Sequence, residues 1–277
     1  MIIMARCKLF EQIARKESFL CVGLDSEPDK LPAAMRGAAR PQLSFNRAIV
    51  DATAPYTVCY KPNLAFYEGR GAEGFGEFLD TCRYIRDNYP DMFIIADAKR
   101  GDIGNTSRMY AEAFFREGLV DAVTLSPYMG RDTVAPFLDY PGRWAVILAL
   151  TSNPSADDFE TQPMADGRPL YEKVIRTSMK WGTPDDTMYV VGATRAETLA
   201  GIRAVAPDHF LLVPGVGAQG GSLEEVARAG MNKMCGLLVN SSRNIIFADN
   251  NNEFVGAAAL AARQMQSEMR MLLEKHL

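Results

Sequence analysis

"MFIIADAKRGDIGNTSRMYAEAFFREG", residues 92 to 118, is the stretch on which the fold turns. It starts as an apolar run, "MFIIADAK" (92–99), crowds charges where that run ends, and continues into a helix-like segment, "TSRMYAEAFFREG" (106–118). A short apolar strand that delivers polar groups at its C-terminal end and then gives way to a helix is one unit of a parallel sheet. The same pattern recurs in both directions along the chain. Apolar runs occur at 19–25, 56–62, 92–99, 121–127, 144–150, 188–194, 210–217 and 234–242, eight in all, with segments such as "GFGEFLDTCRYIRDNY" (74–89) between them. Most lack strict alternation, as expected of parallel strands buried on both faces.

Eight such units predict one closed (β/α)8 (TIM) barrel over residues 1–277, preceded by a helix at about 5–17 and followed by a long helix at about 254–275. The length suits it, since such barrels take about 250 residues. An open doubly wound sheet is the alternative. Two helix starts have the spacing of a capping box, Thr194 to Glu197 and Ser222 to Glu225. The polar stretch "SNPSADDFETQPMADGRP" (152–169) is longer than common connections and is read either as a lid or as a tolerated surface insertion.

Composition narrows the function. The chain of 277 residues is 48% hydrophobic with a net charge of −4, which gives no global positive field for nucleic acid or an anionic membrane. The longest apolar run, 144–150, falls far short of the roughly 20 residues of a membrane helix. No signal-length stretch opens the sequence, and the five cysteines form no C-x-x-C pair, so a cytoplasmic protein is expected. Two histidines, His209 and His276, argue against a zinc centre or a histidine-based triad.

In a barrel the C-terminal strand ends form the catalytic face. Sorting residues by that rule gives Asp25, Lys61, Asp97, Lys99, Ser126, Ser152, the loop "PGVGAQGG" (214–221) and Arg243. Asp97 and Lys99 lie two apart on one strand, and Lys61 ends the neighbouring one. Ammonium and carboxylate groups at ~4 Å attract by about 4 kcal/mol at an effective dielectric near 20, before desolvation, so both lysines stay protonated. Such a site offers a proton but no free base. Gly215, Gly217, Gly220 and Gly221 let backbone N–H groups approach a ligand just before a capped helix, and Arg243 adds a charged fork, which together predict a phosphate site.

At these residues the chain resembles the orotidine 5′-phosphate decarboxylases, specifically the longer bacterial type. The resemblance runs from "CVGLD" (21–25) through "YKPN" (60–63), "DAKRGDIGNT" (97–106) and "LTSNP" (150–154) to "VPGVGAQGG" (213–221) and "NSSR" (240–243). It implies a decarboxylation of orotidine 5′-phosphate to UMP that uses no cofactor and no metal, in a barrel homodimer with sites at the subunit interface. By motif it implies a charged tetrad of Lys61, Asp97, Lys99 and Asp102, with Asp102 and Thr106 reaching the partner's site. It further assigns Asp25 and Lys61 to the ribose, Ser152 to the pyrimidine, and Gln219, Gly220 and Arg243 to the phosphate. Thr151 and Asn153 compete with Ser152 for the base, and Asn63, Tyr128 and Arg131 are open between ligand contact and packing. The rival readings are a magnesium-dependent sugar-phosphate decarboxylase or aldolase on the same barrel, which shares D-x-K-x-x-D, and a noncatalytic nucleotide-binding protein.

Overall fold

A computed structural model describes residues 5–192, 196–216, 222–249, 251 and 253–277. The eight apolar runs become strands β1 (Leu20–Leu24), β2 (Cys59–Pro62), β3 (Phe93–Arg100), β4 (Ala122–Leu125), β5 (Trp144–Leu150), β6 (Thr187–Val191), β7 (Phe210–Pro214) and β8 (Leu237–Ser241). All neighbours pair in parallel, and β1 also pairs with β8, so the sheet closes and the open doubly wound alternative is excluded. The principal helices are α1 (Arg6–Lys16), α2 (Pro41–Thr53), α3 (Gly71–Asn88), α4 (Gly104–Phe115), α5 (Arg131–Leu138), α6 (Leu170–Ser178), α7 (Ala196–Val205), α8 (Leu223–Gly230) and α9 (Phe254–His276).

The first and last helices form where the sequence predicts them. Leu9 and Ile13 of α1 are buried, and its side chains reach from Asp208, before β7, to Thr57, before β2, so α1 crosses the N-terminal mouth of the barrel. Helix α9 packs on α2 through Phe254, whose ring stacks on Phe45 with centroids 5.4 Å apart. Inside the barrel, Trp144 meets Phe93 and Phe210 edge to face at 5.7 and 6.2 Å, an arrangement that aromatic quadrupoles favour.

Of the two predicted capping boxes, the one at α8 is complete: Ser222 Oγ accepts from Glu225 N–H at 3.1 Å, and Ser222 N–H donates to the Glu225 carboxylate at 3.3 Å. Thr194, in the other, lies outside the described residues. The long connection at 152–169 has internal structure. It contains a 3-10 helix, Pro154–Asp158, and a bridge between Pro163 and Pro169.

Candidate active site

Strand β3 is regular until the charges begin. It pairs Ala96 with Val123 of β4, then Arg100 with Leu125, so four residue steps on β3 face two on β4. Within this irregular segment Lys99 adopts a left-handed backbone, with φ of 46°. A non-glycine residue there is uncommon and strained, by about 1–3 kcal/mol, and such strain gathers at functional sites.

The irregularity brings three charged groups into contact. Asp97, 8% exposed, accepts Lys61 Nζ on Oδ2 at 2.8 Å and Lys99 Nζ on Oδ1 at 2.6 Å. Burial would lift the Asp97 carboxyl, but Lys61 and Lys99 outweigh it and hold it well below the usual carboxylate range. Burial opposes the charge on Lys61 in turn, and Asp97 followed by Asp25 reverses that, raising its ammonium above the ordinary lysine value. The two lysines differ in access. Lys61 is buried, whereas the Lys99 side chain is 51% exposed.

Beside this cluster lies a cleft of about 350 Å³ lined by Asp25, Gly215, Val216 and the stretch from Asn240 to Asn244. Asp25 Oδ1 is buried with no hydrogen-bond partner, an acceptor awaiting a donor. Arg243 begins a one-turn helix, Arg243–Ile246, directly after β8. Gly23 makes room for that wall, because a Cβ there would lie 2.9 Å from Ser242 Cβ. Gln219 and Gly220, predicted to bind phosphate, lie outside the described residues.

At the end of β5 the three competing residues separate. Thr151 is engaged by Glu160, whose carboxylate accepts Thr151 N–H at 2.6 Å and lies 2.9 Å from Thr151 Oγ1. Asn153 Oδ1 also lies 2.6 Å from that hydroxyl. Ser152 has no side-chain hydrogen bond among the described residues, and its backbone is set against Gly192, where a Cβ would come within 2.9 Å of Ser152 N.

Asp102 does not join the lysines within this chain; its Oδ1 accepts Ile103 N–H at 2.8 Å. Thr106 is exposed on the first turns of α4. Around them Ile103, Met109, Tyr110 and Met129 are exposed, together with Tyr128 at 84%. Arg131 is exposed at the first residue of α5. Asn63 Oδ1 accepts Ala65 N–H at 3.3 Å, so it caps the turn after β2.

Three contributors escaped sequence reasoning. Glu160 and Gly192 fix the end of β5, and Thr124 of β4 contacts both Asp97 and Lys99. Only the parity of "DAVTLSP", which turns Ala122 and Thr124 to the same face, hinted at Thr124. Arg100, by contrast, is structural: it pairs with Glu68 and lies over the Tyr110 ring at 5.1 Å.

Residues 18–258 match the family model described as Orotidine 5′-phosphate decarboxylase / HUMPS family. An orotidine 5′-phosphate decarboxylase of Bacteroides fragilis is 55% identical over 266 residues, covering 96% of this chain and 97% of its own. One of Porphyromonas gingivalis is 57% identical over 266 residues, covering 96% of each. Among solved structures, the Leishmania donovani OMP decarboxylase is 33% identical, with a TM-score of 0.83 over 97% of this chain and 98% of that one. The UMP synthase of the same organism matches at 35% identity and a TM-score of 0.83, covering 95% of this chain but 55% of that longer one.

Proposed function

The chain belongs to the orotidine 5′-phosphate decarboxylase / HUMPS family, and from that membership we infer how its residues convert orotidine 5′-phosphate to UMP and CO2. Relatives more than half identical over nearly the whole chain share this activity by name, and it is the activity of this protein. The family model spans a second group, but a magnesium enzyme finds no support here. Strand β2 ends in Lys61, whose ammonium lies 2.8 Å from Asp97 Oδ2 and would repel a metal ion there. A mere nucleotide binder would need neither Asp97 nor Lys99.

One observation carries the mechanism: an ionised Asp97 clamped between Lys61 and Lys99 beside the cleft. Loss of CO2 from C6 leaves an electron pair in the plane of the pyrimidine, where the ring π system cannot delocalise it. A fixed cation must stabilise it, and Lys99 is that cation. Its pull on the carbon grows as charge develops, which is what lowers the barrier. Lys99 then gives its N–H proton to C6, the C–H bond forming as the N–H bond breaks. Water restores the proton to the amine, for which the half-exposed side chain is suited. Asp97 aims Lys99, and its charge opposes the substrate carboxylate until neutral CO2 departs.

The remaining roles are those that the resemblance implies, and the unpaired groups of the cleft support two of them. Asp25, with its unpartnered oxygen, and Lys61 hold the ribose hydroxyls. Ser152 binds the pyrimidine, since Thr151 is engaged by Glu160 and Asn153. Arg243, with Gln219 and Gly220, binds the phosphate. Asp102 and Thr106 serve the site of a second subunit, and the apolar patch of Ile103, Met109, Tyr110, Tyr128 and Met129 is the surface that a homodimer would bury. The whole chain acts as one catalytic barrel domain in the cytoplasm; no described helix is long and apolar enough to cross a membrane.

The test is the ultraviolet absorbance of orotidine 5′-phosphate mixed with the protein in excess EDTA, with UMP confirmed as product and the protein's mass followed by sedimentation. Rapid conversion by a dimer, abolished in Lys99→Ala with UMP binding retained, is the expected result. Turnover by Lys99→Ala would remove the proton donor. A monomer that is fully active would remove the shared site.

A further inference from the structure

Thr124 belongs to the charged cluster although it bears no charge. It is 1% exposed, inside the barrel on β4. Its Oγ1 lies 2.9 Å from Lys99 N and 2.9 Å from Asp97 Oδ1. The direction of both hydrogen bonds is settled by chemistry. A backbone N–H only donates, so the hydroxyl oxygen accepts there; an ionised carboxylate only accepts, so the hydroxyl proton goes to Asp97.

Those two bonds fall where ordinary sheet pairing fails. Between Ala96 and Arg100 the register with β4 is lost, and it resumes with Ser126 N–H donating to Arg100 O at 2.7 Å. Lys99, in the left-handed region, lies inside that gap. The Thr124 hydroxyl thus replaces a missing ladder bond and holds the strained residue in place. It also completes Asp97: Oδ1 receives Thr124 and Lys99, and Oδ2 receives Lys61.

We propose that Thr124 is a positioning residue for decarboxylation, its hydroxyl fixing the left-handed Lys99 backbone and the Asp97 carboxylate in one step so that ammonium and carboxylate face the substrate at a set separation. This rests on the reading of Lys99 as the proton donor. A misplacement of about 1 Å costs a reaction up to roughly a hundredfold, so the effect belongs in turnover rather than in affinity.

The experiment compares Thr124→Val, Thr124→Ser and Lys99→Ala, measuring kcat and KM for orotidine 5′-phosphate and the Kd of UMP. Thr124→Val keeps the shape and loses the hydroxyl; we expect kcat to fall about 10- to 100-fold with KM and Kd within about threefold. Thr124→Ser restores the hydroxyl and should return kcat to within about threefold of the parent. If Thr124→Val does not fold, Thr124→Ala against Thr124→Ser makes the same comparison. Unchanged kcat without the hydroxyl, or an equal loss in the serine variant, overturns the proposal while leaving the donor assignment standing. Persistent turnover in Lys99→Ala fails the donor assignment itself, and the Thr124 proposal with it.

Discussion

Each mouth of the barrel holds a buried carboxylate between two cations, and the two are built for opposite ends. At the C-terminal mouth Asp97 lies between Lys61 and Lys99; at the N-terminal mouth Asp121 lies between Arg86, at 2.7 Å, and Arg143, at 3.2 Å. The lower cluster is closed. Asp121 is fully buried and also accepts Ile94 N–H at 2.9 Å. Burial lifts its carboxyl despite Arg86 and Arg143, whereas Lys61 and Lys99 depress that of Asp97.

The cations differ more than the carboxylates. In this fold the helices end toward the N-terminal mouth, where their last carbonyls lack partners. Arg143 donates to Val120 O at 2.8 Å, Lys16 to Ala54 O and Thr57 O at 2.8 Å each, and Arg203 to Gly230 O at 2.7 Å and Gly236 O at 2.8 Å. At the C-terminal mouth the helices begin, and their N–H groups add positive potential to that of the lysines. Among the described residues no backbone carbonyl accepts from Lys61 or Lys99; both ammonium groups are held by Asp97, and Asp25 adds to the field at Lys61. One cluster is sealed among backbone carbonyls, and the other opens to solvent through Lys99.

The largest test exchanges the two outcomes. Lys99→Gly should lose turnover by about a thousandfold or more, while relief of the left-handed backbone raises stability by up to about 1 kcal/mol. Asp121→Asn should do the reverse, costing about 3–5 kcal/mol by leaving buried guanidiniums uncompensated while kcat per folded molecule holds. Denaturant midpoints and kcat on both variants check this; a stability loss in the first or a kcat loss in the second would erase the distinction.

A smaller effect sharpens the lower mouth by pH. His209 is buried with neither ring nitrogen hydrogen-bonded, and burial, reinforced by Arg203, lowers it to about 4. Between that value and the ordinary 6.5, the unfolded chain binds a proton that the folded one refuses. Stability should therefore fall as pH drops through this window, by about 3 kcal/mol in all, and the His209 contribution is complete above it. His209→Phe should flatten the slope in denaturant melts between pH 6.5 and 4; an unchanged slope would show that another group is responsible. Smallest is Glu160→Ala, which frees Thr151 and loosens Ser152. KM for orotidine 5′-phosphate should rise about tenfold with kcat less affected, as for a lost binding contact. An unaltered KM would detach the loop at 152–169 from substrate binding.

Most of the scaffold was legible because buried parallel strands write continuous apolar runs into the chain. All eight runs became strands, six of them shorter than the run, as at 56–62, where the strand begins only at Cys59. The charged residues were legible as types at strand ends, and Asp97 between two lysines formed as read. The role of Asp121 was not legible, because a lone aspartate at a strand start looks the same whether solvated or sealed between arginines. Glu160 was hidden by distance, since nothing within 152–169 shows that its carboxylate returns to the start of its own loop. Asp102, read by resemblance into the same charged set, meets neither lysine within this chain and accepts Ile103 N–H instead.

By itself the sequence determined the barrel, its two flanking helices and the family, because these rest on local patterns: apolar runs, helix starts and ordered motifs. Only the tertiary structure decided that β3 slips against β4, that Lys99 takes a left-handed backbone there, and that Thr124 closes the gap with one hydroxyl. The physical reason is that a hydrogen bond between strands depends on register. Register is set by the packing of the whole barrel, and the residues on either side of the bond carry no mark of it.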